Sequence, residues 1–341
     1  MKRREILLGA AAGAVLSTLP MTVAAASATI PKRLKPGATV GLIAPASVTY
    51  ERLQLQLAVE TIEAMGLKAK IGSHVMDRFG YLAGKDQDRA DDLNEAFADP
   101  DIDAVFALRG GWGASRILPM LDYDMISKNP KILLGYSDVT SLLNAIFAKS
   151  GLVTFHGPNV MSEWNEFTYS EMRRLLFDAE PQQYQNPVII EDDLVARTYR
   201  TQTIASGKAS GQLIGGNLTL ISTLMGTPYL PDFSGKILIL EDVDEAVYRI
   251  DRMLTQLALS GDLQKLAGIV FGHFTGADGI RRLGNFSLMD ILRQHCEPLG
   301  IPCFTGAMFG HVDKQSTVPI GAEAKMDADK GTFELTAPAV A

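Results

Sequence analysis

With 341 residues, 47% of them hydrophobic, and a formal charge of −7, the chain can bury more than one core and is too acidic to be read as a nucleic-acid binder. Two cysteines exclude a disulfide-built scaffold. Cys296 and Cys303 read as buried thiols at a helix end and in the next strand, with a bridge between them as the alternative.

Residues 1–28 read as an export signal: Lys2, Arg3 and Arg4 precede an Ala/Leu/Gly stretch that ends in small residues at 24–28. Arg3-Arg4 followed by Ile6-Leu7 is similar to a twin-arginine address, which places the mature chain in the periplasm. The apolar core, about residues 6–19, is short and broken by glycine, so no stable membrane insertion is expected after cleavage, which fits after Ala26 or Ala28; an uncleaved anchor is the alternative. Removing the segment takes away three cations and one anion, moving the charge from −7 to −9.

From Ala38 the pattern alternates between strand and helix. Residues 39–44 (TVGLIA) form a buried strand, and 52–65 an amphipathic helix with Leu53, Leu57, Ile62 and Met65 on one face. A strand at 67–71, a helix at 86–98 and a strand at 104–107 (AVFA) follow, the beginnings of a parallel α/β sheet. Arg109-Gly110-Gly111-Trp112-Gly113 comes next, where backbone N–H groups can converge on an anion or oxyanion. It matches neither a dinucleotide fingerprint nor a phosphate-binding P-loop, so no nucleotide cofactor is expected.

The central stretch is 131–140, KILLGYSDVT, an apolar strand that stops at Gly135 and opens a helix at Asp138. Ser137 on that bend would project from the carboxyl edge of the sheet beside a helix N-terminus, as in a nucleophile elbow, although the last glycine of G-x-S-x-G is missing. The alternative is that Ser137 or Asp138 merely caps the helix. Residues 152–155 continue the sheet to His156-Gly157-Pro158-Asn159, where His156 reads as a loop or packing residue.

Composition turns polar and proline-bearing at 178–187, which puts a domain boundary there: residues 29–182 form an α/β domain carrying the nucleophile, and 183–341 a second domain. Strand-like pieces at 188–190 and 207–213 lead to Gly215-Gly216-Asn217, with Asn217 capping a helix over 218–225. The strand 236–240 (KILIL) delivers an acidic cluster at 241–245. A helix at 248–259, a strand at 268–271, a helix at 288–295 and a strand start at 303–304 complete the second half. An activated serine needs a base and a carboxylate that orients it. The chain offers Ser137, then the cluster 241–245, then His273 or His311; no S-x-x-K, H-E-x-x-H or paired-cysteine spacing supports a lysine or metal mechanism.

Taken together, Arg109-Gly-Gly-Trp-Gly113, Gly135-Tyr-Ser-Asp138, Phe155-His-Gly-Pro158, Gly215-Gly-Asn-Leu218, Leu240-Glu-Asp242, Gly310-His311 and Pro319-Ile-Gly321 resemble the LD-carboxypeptidase family of serine peptidases, the muramoyltetrapeptide carboxypeptidases, which includes microcin-immunity peptidases. The matches run in order from about residue 35 to 324. The resemblance implies an N-terminal parallel-sheet α/β domain, a smaller β-rich C-terminal domain and an active site in the cleft between them. It further implies a homodimer that removes the terminal D-alanine from murein tetrapeptide stems at an L,D bond, without metal or other cofactor. Ser137 then matches the nucleophile, Glu241 the acid and His311 the base. The oxyanion donors would be the backbone N–H of Asp138 and one in the Gly110-Gly111 turn. Trp112 stands where many members have tyrosine, which bears on substrate choice. The alternatives are a family peptidase acting on a peptide–nucleotide conjugate, and a periplasmic binding protein, in which Ser137, Glu241 and His311 need not converge.

Overall fold

The computed structural model describes residues 28–190, 194–277 and 285–341. The export segment expected at 1–28 thus lies, apart from Ala28, outside the described residues.

The first half runs β1 (Thr39–Ile43), α1 (Arg52–Ala64), β2 (Lys68–Ile71), α2 (Asp86–Ala98), β3 (Ala104–Ala107), α3 (Tyr123–Lys128), β4 (Ile132–Gly135), α4 (Thr140–Ser150), β5 (Thr154–His156) and α5 (Glu166–Leu176). The second runs β6 (Gln183–Tyr184), β7 (Gln202–Ala205), β8 (Lys208–Asn217), α6 (Leu218–Leu224), β9 (Ile237–Val243), α7 (Val247–Leu259), β10 (Gly268–Thr275), α8 (Leu288–Cys296), β11 (Cys303–Thr305), β12 (Val318–Ile320), β13 (Glu323–Asp327) and β14 (Thr332–Leu335). Two sheets result, a six-stranded one ordered β12-β5-β4-β3-β1-β2 and an eight-stranded one ordered β6-β14-β13-β8-β9-β10-β11-β7. The fold is mixed α/β.

In the first sheet β1 to β5 pair in parallel, and β3 and β4 are buried at every residue, as continuous apolar runs covered on both faces must be. β2 (KAKI) is a largely exposed edge whose charged residues discourage further pairing. The other edge is β12, which comes from the far end of the sequence and pairs antiparallel with β5. In the second sheet β8 to β11 are parallel, while β13, β14 and β6 extend it antiparallel.

The helix after the candidate nucleophile joins the two sheets. α4 is buried from Thr140 through Phe147, and its polar side chains there are spent on the neighbouring backbone. Asn144 donates through Nδ2 to the Gly215 carbonyl at 2.8 Å and accepts the Gly215 N–H at 3.1 Å, while Thr140 Oγ1 accepts the Asn217 N–H at 3.1 Å. Fully paired polar groups at such depth fix one arrangement of helix and strand. Because Asn217 of β8 lies in register with Glu241 of β9, these bonds set the nucleophile turn against the acidic strand end.

Two expectations need correction. Leu53 and Leu57 of α1 are exposed, and the buried face is Ala58 and Ile62. Leu53 and Ile62 are nine residues apart, half a turn out of phase at 3.6 residues per turn, so they cannot share a face. Residues 188–190 form no strand; Val188 and Ile190 are exposed and unpaired in any ladder. Cys296 and Cys303 are free and buried, and burial pushes the Cys303 thiol well up, reinforced by its neighbour Cys296.

Candidate active site

Ser137 follows β4 with φ +61°, a left-handed conformation that a serine adopts rarely and that marks a strained turn. A short 3-10 turn, Ser137–Val139, leads into α4. The capping alternative is not realised: neither the turn nor α4 has a side-chain cap, and the Asp138 carboxylate instead accepts the Ala114 N–H at 2.7 Å. Burial raises that carboxyl to about 6 against the opposing pull of the Ala114 bond and the Arg89 charge. Arg89, itself fully buried, donates to the carbonyls of Pro45 and Gly113 and pairs with Asp86. Asp138 and Arg89 therefore pin the loop 109–113 onto the serine turn.

Gly110 is the point of contact. A Cβ there would stand 2.9 Å from Ser137 Cβ and 3.2 Å from both Ser137 Oγ and the Asp138 nitrogen, so only glycine lets the loop lie on the turn. Ser47 supports it from behind, donating through Oγ to the Gly110 carbonyl at 2.7 Å.

On the opposite wall, Glu241 near the end of β9 is 0% exposed and its Oε2 lies 2.7 Å from His311 Nδ1. Burial lowers the affinity of His311 for a proton, but the hydrogen bond and charge of Glu241 outweigh it, leaving the imidazole above its ordinary value. Gly310, at φ +94°, packs on the acid; a Cβ would come within 2.6 Å of Glu241 Cβ, Cγ and Oε2. The Gly-His pair is thus the smallest sequence that seats this histidine on this carboxylate. Asp242 points the other way along the strand, accepting from Asn217 Nδ2 at 3.0 Å and from Thr219 N and Oγ1 at 3.0 and 2.9 Å, and burial followed by the Glu241 charge lifts it to about 6.

Ser137, His311, Gly110 and Gly111 line one cleft of about 360 Å³, together with Gln54, Leu108, Arg109, Tyr136, Asn159, Met161 and Ser162. Trp112 is not among its lining residues; it is 64% exposed and meets Tyr81 edge to face. His273, the other candidate base, lies within β10, where burial lowers it. His156 is fully buried at the end of β5 between Tyr136 and Phe309, and burial drops it to about 4. Sequence reasoning passed over Tyr136, whose ring is 4.7 Å from that of His311, and left Asn159 without a task although its Oδ1 accepts the Tyr136 N–H at 3.3 Å. The position of Asn159, just after the strand-end His-Gly-Pro, was the available signal.

Among the described residues one group brings three potential metal ligands within 4.8 Å of one another: His74, Asp77 and Asp88. None of them lines the cleft, and His74 Nδ1 is already 2.7 Å from Asp77.

A serine on a strained strand-to-helix turn, sharing a cleft with an imidazole that is paired to a buried carboxylate, has the parts of a hydrolase acting on acyl groups. Comparison with known proteins gives the particular kind. Residues 40–157 match the LD-carboxypeptidase N-terminal domain and residues 210–326 the LD-carboxypeptidase C-terminal domain. The probable murein peptide carboxypeptidase of Bacillus subtilis is 38% identical over 312 residues, covering 90% of this chain and 94% of that protein. The microcin C7 self-immunity protein of Escherichia coli is 30% identical over 327 residues, covering 88% and 93%. The crystal structure of muramoyltetrapeptide carboxypeptidase from Oxalobacter formigenes superimposes with a TM-score of 0.75 at 30% identity, over 87% of this chain and 98% of that one. The chain belongs to the LD-carboxypeptidase family, and it is a peptidase.

Proposed function

We propose that the protein is a serine carboxypeptidase that removes the terminal D-alanine from murein tetrapeptide stems at the L,D bond, with Ser137 as nucleophile, His311 as base and Glu241 as the acid that orients it. The observation that carries this reading is the 2.7 Å Glu241–His311 pair in the cleft that Ser137 also lines. Glu241 accepts Nδ1–H and so leaves Nε2 as the basic nitrogen; Nε2 takes the Ser137 proton as Oγ attacks the scissile carbonyl and returns it to the departing D-alanine nitrogen. Water then repeats the sequence on the acyl-enzyme. The Asp138 N–H and an N–H of the Gly110-Gly111 turn, brought together by the close approach of Gly110, supply the oxyanion donors. Digestion of defined tetrapeptides with lysine or diaminopimelate as third residue, read by mass, tests it. Release of D-alanine is the expected result; cleavage only of a peptide–nucleotide conjugate would assign the protein to the immunity type, and cleavage of neither would overturn the peptide reading.

The pH dependence follows from the base. Protonated imidazole cannot accept from serine, so activity is lost as pH falls through the raised value of His311. The kcat/KM profile should therefore climb with an apparent pKa above 6.5, the ordinary histidine value, checked with a chromogenic peptide ester across pH 5 to 9. A climb centred below 6.5 would exclude a Glu241-paired base.

We infer further that the mature chain works in the periplasm, reached through the paired arginines of the first segment. Replacing both Arg3 and Arg4 by lysine should retain the precursor in the cytoplasm, measured by fractionation; normal arrival would refute the twin-arginine route.

A further inference from the structure

The cleft has a charge asymmetry that the triad does not use. Of the residues lining it, Arg109 is the cation beside the serine and no carboxylate is present; Gln54, Asn159 and Ser162 supply neutral polar groups. Arg109 directly precedes Gly110, which packs so closely on Ser137 that a Cβ would stand 2.9 Å from the serine Cβ, so its backbone is anchored next to the reacting atoms. Its Nη1 donates to the Val48 carbonyl at 3.0 Å, while Nε and Nη2 have no partner among the described residues. A guanidinium held at one corner, with its Nε–H and both Nη2–H donors free, is pre-organised for a planar two-oxygen anion.

The chemistry of the reaction supplies such an anion. In a peptide whose last residue is the leaving group, the terminal carboxylate is separated from the departing nitrogen by a single carbon. That group alone distinguishes a chain end from an internal residue.

We propose that Arg109 binds the terminal carboxylate of the substrate and restricts the enzyme to the last peptide bond. The proposal rests on the carboxypeptidase reading above and adds the residue that makes the activity an exo-cleavage. No cation is needed at that position for attack by Ser137, so loss of Arg109 removes discrimination and leaves the acyl-transfer parts in place.

The test compares a tetrapeptide ending in D-alanine with the same peptide ending in D-alaninamide, following release of D-alanine or D-alaninamide by mass. The wild type should prefer the acid by about 100-fold or more in kcat/KM, the value of a charge-assisted pair in a partly desolvated site. Arg109→Gln should lower kcat/KM for the acid by about that factor, mainly through KM, and leave the amide nearly unchanged, so that the ratio approaches one. General damage to the loop through loss of the Val48 contact would instead lower both substrates together and preserve the ratio, which overturns the proposal. Arg109→Lys, which keeps the charge and a donor for Val48, should retain an intermediate preference, and it serves as the deciding variant if the glutamine protein does not fold. Equal cleavage of acid and amide by the wild type would also overturn it, with the peptidase reading intact; cleavage of neither strikes at the peptidase reading itself.

Discussion

Ser137→Ala should lose about four to six orders of magnitude in turnover of a tetrapeptide while still binding it, as expected when the nucleophile of a triad is removed. The hydroxyl has no packing duty that would confuse the result. It caps neither the 3-10 turn nor α4, and the strained φ of +61° is borne by alanine as it is by serine. The thermal midpoint should therefore move by no more than a few degrees, within the range of substitutions that disturb no core or buried hydrogen bond. Rapid-quench turnover beside equilibrium binding of the tetrapeptide measures both sides. Retention of even a tenth of wild-type turnover would rule out an acyl-enzyme on Ser137.

Glu241→Gln and Glu245→Gln form the second pair of expected results, and they should differ by orders of magnitude. Glu241 is wholly buried, its Oε2 is committed to His311, and Gly310 closes over it. A glutamine fits the space, but it removes the charge that stabilises the imidazolium, and when it presents its amide nitrogen it selects the wrong tautomer. Turnover should fall by about two to four orders of magnitude. Glu245 lies just ahead of α7, with Oε2 3.7 Å from Arg249 Nε one helical turn on. Losing that partly exposed pair costs about 0.3–1 kcal/mol of stability and leaves turnover intact. Steady-state kinetics and denaturant unfolding of the two variants decide the matter; a reversed outcome would move the acid to Glu245.

The strands were legible because each is an apolar run followed by a polar or glycine signal: 131–135 before Ser137, and 236–240 before Glu241, although β9 continues past the acid to Val243, held there by its ladder to β10. Alternation along an extended strand puts Glu241 and Asp242 on opposite faces without saying which meets the cleft; the family resemblance pointed to Glu241, and Asp242 turns to Asn217 and Thr219. The Asn217 cap was equally plain, accepting the Leu220 N–H at 3.2 Å. Short or weakly patterned elements were not legible. α3 has six residues, too few to show a helical period, whereas α5 carried a readable signal that went unused: Asn165 accepts the Thr168 N–H at 3.1 Å, and Thr168, Met172 and Leu175 are buried at helical spacing. The hairpin β13–β14 did carry a period-two signal, with buried Ala324 and Met326 alternating with exposed Glu323 and Lys325, and it was passed over. Which of His273 and His311 meets the acid was not decidable from spacing, because each stands in or after an apolar run of the second half; His273 proves to lie inside β10, and the close approach of Gly310 seats His311 on the acid, an approach with no local pattern.

β12 has a mechanical consequence. This strand follows soon after His311 in sequence yet is laced into the first sheet, with Val318 opposite His156 and Ile320 opposite Thr154. The chain segment bearing the imidazole is thereby sewn to the same slab that carries the serine. A clamshell motion that swung one half of the molecule away from the other would have to unzip this ladder and break the α4–β8 bolts at Asn144 and Thr140 as well. Guest molecules must then enter and leave without parting the two sheets, while the reacting groups hold their spacing from one turnover to the next.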